Sequence, residues 1–434
     1  MRTLIKDLSQ KVQTQTTIKG RLISKRELGS ISFLKIQDFT GITQVVTENK
    51  EHLSQIEIIN PQSILKIQGI VFLDPKGNPE IHLEKINIIN AVHDTPSVDL
   101  QSKEPKEKLE TILSHRAISL RHQKYQDIFK VKAAVIQSYR EFMTEFGATE
   151  FFSPLILASS SEGGAEIFEL EYFDSKATLA QSAQLYKQIM VGVYERVFGL
   201  SKCFRAENSN TRRHVTEATQ LEFEMGFIES IDDILEVETN AIKYILDKVY
   251  SKCEIQLDRL KARRLLVPEG TFPKLTFQEA CTILTEKFQV NTEGWDDLTT
   301  ESEKLLCQYA REEYKSDFIF ITNFKKATFY AYRDQNGEIH NVDLLCKEME
   351  ISSGGRRFDS YEDLKMSIIA EGMNPEDFSE YLSIFKFGMP PHGGFGIGFE
   401  RLVMLITGQD NIRECILFPS DPKRIASQNI KQKY

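Results

Sequence analysis

The sequence predicts an α+β protein in two parts: a small closed antiparallel barrel, then a larger domain whose antiparallel sheet is flanked by helices. Three observations carry this. Short β-rich runs punctuated by glycine fill residues 16–92, and a polar, proline-bearing stretch interrupts that pattern at 94–114. Beyond it, strands and helices mix without the strict alternation of a doubly wound sheet.

At 434 residues, with 41% hydrophobic and 27% charged, the chain is long enough for two or more cores, since domains commonly run ~100–200 residues. Residues 1–93 are expected to form the barrel, 94–114 a hinge and 115–434 the larger domain. The opening MRTLIKDLSQKVQ lacks the apolar stretch of a signal peptide, and no uncharged apolar run reaches the ~18 residues of a membrane helix. A cytoplasmic protein with no membrane partner is expected. The cysteines, Cys203, Cys253, Cys281, Cys307, Cys346 and Cys415, are scattered singly without zinc-ligand spacing, so they read as reduced packing residues. A formal net charge of -9 argues against coating nucleic acid by bulk charge, yet permits a local basic face.

Within the first part, TTIKGRLISKREL, SISFLKIQDFTGITQVV, SILKIQGIVFL and PEIHLEKINIINAV supply about five strands, and Gly20, Gly29, Gly41 and the Pro75/Gly77 turn separate them. That count and length point to an OB-like barrel, a fold that reads single-stranded nucleic acid on a strand aromatic. Phe33 is the candidate; periodicity alone favours the alternative, that it packs in the barrel core. After the hinge, apolar residues recur at helical spacing from Tyr125 to Phe146 and stop at Gly147. TEFFSPLIL then reads as an edge strand interrupted by Pro154, which with the helix makes a dimer surface. RVFGLSKCFRAE and ATQLEFEMGFI read as two strands around the polar loop NSNTRRHVTE. SIDDILEVETNAIKYILDKVY is helical, FIFITNF and TFYAYRD are strands, YEDLKMSIIAEG is a helix, and FGIGFERLVMLITG passes from strand to helix.

Three stretches resist explanation as packing alone. In FRAENSNTRRHVTE, Arg205 and Glu207 fall on one face of an extended chain, and an arginine fork suits a phosphate, with Arg213 and His214 placed for more distal phosphates. The plainer alternative is a solvated hairpin with surface ion pairs. In GGFGIGFERLVM, Gly393, Gly394, Gly396 and Gly398 leave a bare face for a flat ligand, and Arg401 emerges where strand becomes helix. No GK[ST] follows, so this is not a P-loop. In VDLLCKEMEISSGGRR, Asp343 and Glu350 lie seven residues apart, and a hairpin turning at CKEM brings both onto one magnesium ion shared with ATP phosphates. Ordinary surface acids are the alternative for either residue alone.

These stretches resemble a known family. FRAENSNTRRHVTEATQLEFEMGF is similar to motif 2 of class II aminoacyl-tRNA synthetases, GGFGIGFERLVML to motif 3 and TEFFSPLIL to the dimer-interface motif 1. Residues 16–92 resemble the anticodon-binding OB domain of subclass IIb, and EGGAEIF, LAQSAQLYKQ and EISSGGRR strengthen the match. Within that subclass the pattern is most similar to the archaeal-type aspartyl-tRNA synthetases. The resemblance implies ATP-dependent formation of aspartyl-adenylate and transfer to tRNA(Asp), with tRNA(Asn) left open as a second acceptor. It implies that Arg205 and Arg401 are catalytic, that Arg205 holds the α-phosphate and Glu207 the adenine, and that Arg213, His214 and Arg401 meet the outer phosphates, with Glu350 and Gly398 also at the nucleotide. L-aspartate falls to Glu162, Gln184, Lys187, Glu222, Ser353 and Arg357, and Mg²⁺ to Asp343, Glu350 and Ser353. Phe33 would stack on the anticodon and Gln44 would read a neighbouring base. A homodimer is implied as well.

Some letters depart from the family pattern. Glu222 stands where an aspartate is usual, Arg356 where glutamine is common, Ala183 for a proline, Ala218 for a phenylalanine and Ser420 for an arginine. The alternative reading is therefore an asparaginyl-tRNA synthetase, or an aspartate-activating paralogue with a different acceptor. Lys187, absent from the asparaginyl pattern, is the discriminating residue.

Overall fold

The computed structural model describes residues 2–158 and 166–429. The chain divides into two compact units, residues 1–107 and 108–434. The first is a closed five-stranded barrel of β1 (Gln15–Leu28), β2 (Ile31–Asp38), β3 (Gly41–Thr47), β4 (Ile64–Leu73) and β5 (Pro79–Asn90), ordered β1-β2-β3-β5-β4, with helix α1 (Lys50–Glu57) between β3 and β4. Every pairing is antiparallel except β3 with β5. Leu34 and Ile36 of β2, Val45 of β3 and Leu65 and Ile67 of β4 alternate into one core. At Gly69 a Cβ would stand 2.1 Å from the His82 carbonyl oxygen, so the barrel closes there only because the residue has no side chain.

Phe33 is not part of that core. It lies half-buried on the outer face, opposite Val46, while Lys35 faces Gln44 two pairs along. The periodicity argument for a packed Phe33 fails because its neighbours Leu34 and Ile36 already fill the interior.

The second unit begins earlier than the expected hinge allows, because α2 (Leu109–Ser114) is already helical and buries Ile112 and Leu113. α3 (Arg116–Ser119) and the long α4 (Gln123–Glu145) follow, the latter capped by His122 and stopped at Gly147 with φ of 83°. TEFFSPLIL is not one strand. Pro154 separates β6 (Thr149–Glu150) from β7 (Ile156–Leu157), which pairs in a small separate sheet with β8 (Glu169–Tyr172) and β9 (Ser175–Leu179). Then come α5 (Gln184–Tyr194), β10 (Arg196–Phe204), β11 (Glu217–Gly226), α6 (Ile231–Lys252), α7 (Glu254–Leu260), β12 (Lys274–Thr276), α8 (Phe277–Phe288), α9 (Thr300–Glu313), β13 (Phe318–Thr322), β14 (Asn341–Cys346) and β15 (Met349–Arg356). α10 (Tyr361–Ala370), α11 (Ser379–Phe385), β16 (His392–Gly398) and α12 (Phe399–Thr407) complete the frame.

The large sheet runs β12-β13-β14-β15-β16-β11-β10-β6. It is antiparallel from β13 to β10, as expected, and parallel at both edges, where β12 joins β13 and β6 joins β10. Each parallel pair is reached through a long helix-bearing connection, which a parallel neighbour requires. TFYAYRD forms two isolated bridges, Ala331 to Arg357 and Arg333 to Ile339, rather than a strand. α4 and α6 pack together behind the sheet, and the Phe146 ring of the turn after α4 meets Phe223 of β11 at 5.9 Å. All six cysteines are free and buried. No helix among the described residues is long and apolar enough to cross a membrane.

Candidate active site

A cavity of about 390 Å³ opens over the middle of the large sheet. Arg205, Glu207, Arg213, His214, Gln184, Lys187, Glu222, Asp343, Glu350, Ser353, Arg357, Gly398 and Arg401 all line it, so four stretches of sequence converge. Glu162 lies outside the described residues.

One end is buried and ionic. On β11, alternation turns Leu221 and Phe223 into the core and Glu222 and Glu224 to the opposite face. Lys187, one turn into α5, sends its Nζ to Glu222 Oε2 at 3.0 Å, Glu224 Oε2 at 3.3 Å and the Phe395 carbonyl at 3.2 Å. From the end of β15, Arg357 Nε donates to Glu224 Oε1 at 2.9 Å, and its Nη2 reaches the Gly394 carbonyl at 3.1 Å and Gln184 Oε1 at 3.4 Å. All four charged side chains are at most 5% exposed. Burial pushes the Glu224 carboxyl up, but Arg357 and Lys187 outweigh it and hold the group below its ordinary range. Glu222 Oε1 is buried without a hydrogen-bond partner, which leaves one acceptor for a cationic ligand group.

A neutral scaffold stands behind this network. Gln184 Nε2 donates to Gln188 Oε1 at 3.0 Å, Tyr381 donates to the same oxygen at 3.0 Å, and Gln188 Nε2 meets His392 Nε2 at 3.0 Å. Burial pushes the His392 imidazole below its ordinary pKa, so Nδ1 carries the proton to the Pro390 carbonyl and Nε2 accepts from Gln188. Glu224, Gln188, Tyr381 and His392 are residues the sequence reading missed. LEFEM did carry the signal for Glu224, because it sits two residues after Glu222 on the same strand face.

The glycines of β16 have a different purpose from the expected bare platform. A Cβ at Gly394 would stand 2.0 Å from the Phe223 carbonyl oxygen and 2.5 Å from Glu224 Oε2, and one at Gly396 would meet Glu222 Oε2 at 3.2 Å, so β11 itself covers that face. At Gly393 it would strike Ile234 of α6. Gly398 also lines the cavity, and its nearest neighbours are Arg401 Cδ and the Ile351 carbonyl at 3.4 Å.

The other end is open. Arg205 and Glu207 are exposed at the start of the loop between β10 and β11. Burial, with the nearby charges of Arg401 and Arg213, pushes the His214 imidazole below its usual pKa. Thr211 Oγ1 accepts from the Arg213 amide at 3.3 Å and lies 2.6 Å from His214 Nδ1. Arg213 is already engaged: it makes a close ion pair with Glu303, and its Nη2 donates to Thr300 Oγ1 at 2.6 Å, both on α9. Burial raises the Glu303 carboxyl against the pull of Arg213.

Between the two ends stand the carboxylates. The hairpin turns at Lys347, with φ of 57°, and pairs Asp343 directly with Ser353. Burial pushes the Asp343 carboxyl well above the ordinary range, and the charge of Glu350 adds to it, while a hydrogen bond from Ser353 opposes both. Two mutually repelling carboxylates and a hydroxyl are a hard oxygen donor set that fits a divalent cation such as Mg²⁺. Arg401 Nη1 donates to the Glu350 carbonyl at 2.8 Å and approaches its Oε2 at 3.4 Å.

The off-pattern letters find ordinary places. Arg356 lies over the Tyr332 ring at 4.0 Å and pairs with Asp359 at 3.8 Å. Ser420 Oγ accepts from the Ala426 amide at 3.1 Å, and its carbonyl accepts from the Thr216 amide at 3.0 Å. Ala218 lines the cavity, and Ala183 is buried at the start of α5. In the barrel, Gln44 Nε2 donates to Glu80 Oε2 at 2.8 Å.

Comparison with known proteins agrees with this architecture. The model of the tRNA synthetases class II (D, K and N) matches residues 108–422, and that of the OB-fold nucleic acid binding domain matches residues 16–89. An aspartate–tRNA(Asp/Asn) ligase of Thermus thermophilus is 36% identical over 98% of this chain and 100% of its own length. An aspartate–tRNA(Asp) ligase of Pyrococcus furiosus is 39% identical over 94% of this chain and 95% of its own. The crystal structure of asparaginyl-tRNA synthetase from Pyrococcus horikoshii complexed with asparaginyl-adenylate superposes with a TM-score of 0.91 at 32% identity, covering 98% of this chain and 99% of that one. With motif order, sheet topology and family model in agreement over most of its length, the chain belongs to the class II tRNA synthetases of the D, K and N group.

Proposed function

We propose that the chain is an aspartate–tRNA ligase that uses ATP to form aspartyl-adenylate and then esterifies tRNA(Asp). The observation that carries this reading is the buried pair of cations, Lys187 and Arg357, on the floor of the cavity. A β-carboxylate can take up part of their hydrogen bonding, whereas an amide side chain would add a donor facing two donors. The orphaned Glu222 Oε1, with Gln184 and Ser353 beside it, suits the α-amino group. The aspartate α-carboxylate oxygen then attacks the α-phosphorus, the bond to the β-phosphate breaks, and pyrophosphate leaves. In the second step a terminal hydroxyl of the tRNA attacks the acyl carbon and AMP departs.

In this reading Arg205 steadies the α-phosphate, Glu207 accepts from the adenine amino group, and Gly398 gives the nucleotide close access to the backbone. His214 and Arg401 meet the outer phosphates, and Arg213 joins them by loosening its hold on Glu303. Mg²⁺, when bound by Asp343, Glu350 and Ser353, supplies positive charge to the triphosphate. No general base is required, because catalysis rests on positioning and on stabilising phosphoryl charge.

Two relatives named for tRNA(Asp) and tRNA(Asp/Asn) support a tRNA acceptor, with Phe33 and Gln44 on the outer face of the barrel as anticodon contacts. A homodimer is part of the proposal. Val193, Tyr194 and Phe227 are exposed apolar residues around one groove, and Phe152 is 77% exposed beyond β6. We place the enzyme in the cytoplasm. A second reading, asparaginyl-tRNA synthetase, is favoured by the likeness to the asparaginyl-adenylate complex. ATP–pyrophosphate exchange with aspartate and with asparagine separates them: exchange with aspartate alone is expected, and a preference for asparagine overturns the proposal. Charging of tRNA(Asp) and tRNA(Asn) transcripts then sets the acceptor range.

A further inference from the structure

The loop between β10 and β11 carries the arginines and histidine of the nucleotide end, yet from Ala206 to Val215 it has no regular secondary structure. Asn210, Thr211 and Arg212 are exposed. A stretch of this kind loses much conformational freedom when it settles on an anion, unless something orders it beforehand. What orders it comes from the other end of the chain. Arg413 Nη2 donates to Asn210 Oδ1 at 2.7 Å and its Nη1 to the Thr211 carbonyl at 2.8 Å. The next residue back, Ile412, donates its amide to the Arg212 carbonyl at 2.9 Å.

Arg413 is itself fixed. Its Nε donates to Asp421 Oδ2 at 2.7 Å, and both residues are at most 5% exposed. Asp421 also accepts from Arg424 Nε at 3.0 Å and from the Lys423 amide at 2.8 Å. The carbonyls of residues 414, 416 and 417 are held by Arg116, which stacks over Tyr125 of α4 at 4.5 Å. The clamp acts on the loop's backbone and on Asn210, leaving the side chains of Arg212, Arg213 and His214 outside it. Thr211, whose carbonyl Arg413 holds, is the residue whose hydroxyl meets His214 Nδ1 at 2.6 Å.

We propose that Arg413, braced by Asp421, is a positioning residue: it holds the basic loop in the shape that receives the ATP phosphates and takes no part in binding aspartate. The proposal rests on the aspartate–tRNA ligase reading for its substrate, though the clamp itself does not. A planar guanidinium is needed because three directions are used at once, and a lysine ammonium cannot match them.

The test uses Asn210→Ala, which removes only the far end of the clamp at an exposed position, together with Arg413→Lys. Pyrophosphate exchange gives the KM for ATP and for aspartate, and trypsin reports the rate of cutting after Arg212 and Arg213. For Asn210→Ala we expect the KM for ATP to rise about tenfold, as loss of one charge-assisted hydrogen bond implies, with the KM for aspartate and Tm unchanged and the loop cut faster. Arg413→Lys should raise the KM for ATP further. An unchanged KM for ATP in active Asn210→Ala enzyme overturns the proposal, as does an unchanged cutting rate, and this variant decides the matter even where Arg413→Lys fails to fold. Faster cutting in a protein whose wild type exchanges with neither amino acid would uphold the clamp and sink the ligase reading.

Discussion

The two ends of the cavity solve electrostatics in opposite ways. At the buried end Lys187, Arg357, Glu222 and Glu224 are already paired, so the charges are desolvated before any ligand arrives. At the open end Arg205 and Glu207 are exposed, and Arg213 and His214 sit on a loop. A buried, pre-paired network discriminates sharply and tolerates little change, because removing one member strands the others. An exposed set can adapt its geometry to a flexible triphosphate, and its loss costs function without costing the fold.

The largest expected effect comes from breaking the buried end. Lys187→Leu leaves Glu222 and Glu224 without their shared cation, so urea denaturation should show a loss of about 3–5 kcal/mol. Aspartate-dependent exchange should fall by about 100-fold or more in the folded fraction. An unchanged midpoint would mean that the network is not pre-paired in solution. At the open end the two readouts should part company: Arg205→Ala is expected to lower exchange by about 10²–10³-fold while stability stays within about 0.5 kcal/mol. A matching loss of stability would erase the contrast between the ends.

Glu238 of α6 asks how much more charge the buried end can bear. It faces Ser352 of β15 behind the sheet, and one of its oxygens has no hydrogen-bond partner. Burial pushes its carboxyl up to about 8, with Ser352 and Lys187 pulling the other way. The folded state therefore keeps a proton that the unfolded chain releases near 4.5, so stability from this group is present below pH 4.5 and is lost as pH rises towards 8. The slope is about 1.4 kcal/mol per pH unit in that window. Glu238→Gln should flatten the difference, measured by denaturation at pH 5, 6, 7 and 8; parallel profiles would show that Glu238 is ionised in the fold. The smallest effect is expected at Arg356→Gln, where a half-buried stack on Tyr332 is lost at a cost of about 0.5–1 kcal/mol. Exchange should not change, since the side chain points away from the cavity lining.

Much of this was legible in the sequence, for reasons that differ by element. The barrel shows in its glycine punctuation and alternation, and the β10–β11 hairpin in two apolar runs around a polar loop. The convergence of Asp343 and Glu350 follows from a hairpin that turns at CKEM. The parallel edges are illegible, because strands of two and three residues are too short to carry a period. The Arg213–Glu303 pair spans 90 residues, and nothing in TESEKLL separates a solvated helix acid from one turned onto a distant loop. Glu238 hides for a related reason: one glutamate among the many polar letters of a long amphipathic helix looks solvated until the helix is docked.

The glycines of β16 have a consequence for how this pocket can change over time. Gly396 and Glu222 occupy one volume between them, since a methyl group at 396 would press on the glutamate oxygen at 3.2 Å. Gly394 differs, because a Cβ there would stand 2.0 Å from the Phe223 carbonyl oxygen, and no shorter acid at 224 would make room for it. Position 396 is thus half of a two-residue trade: a longer acid at 222 favours an empty place at 396, and a shorter acid eases it. Glu222, one methylene longer than aspartate, is tenable here because position 396 is vacant. Alanine at 396 should be better tolerated together with Glu222→Asp than alone, so the two positions are coupled in how they can drift.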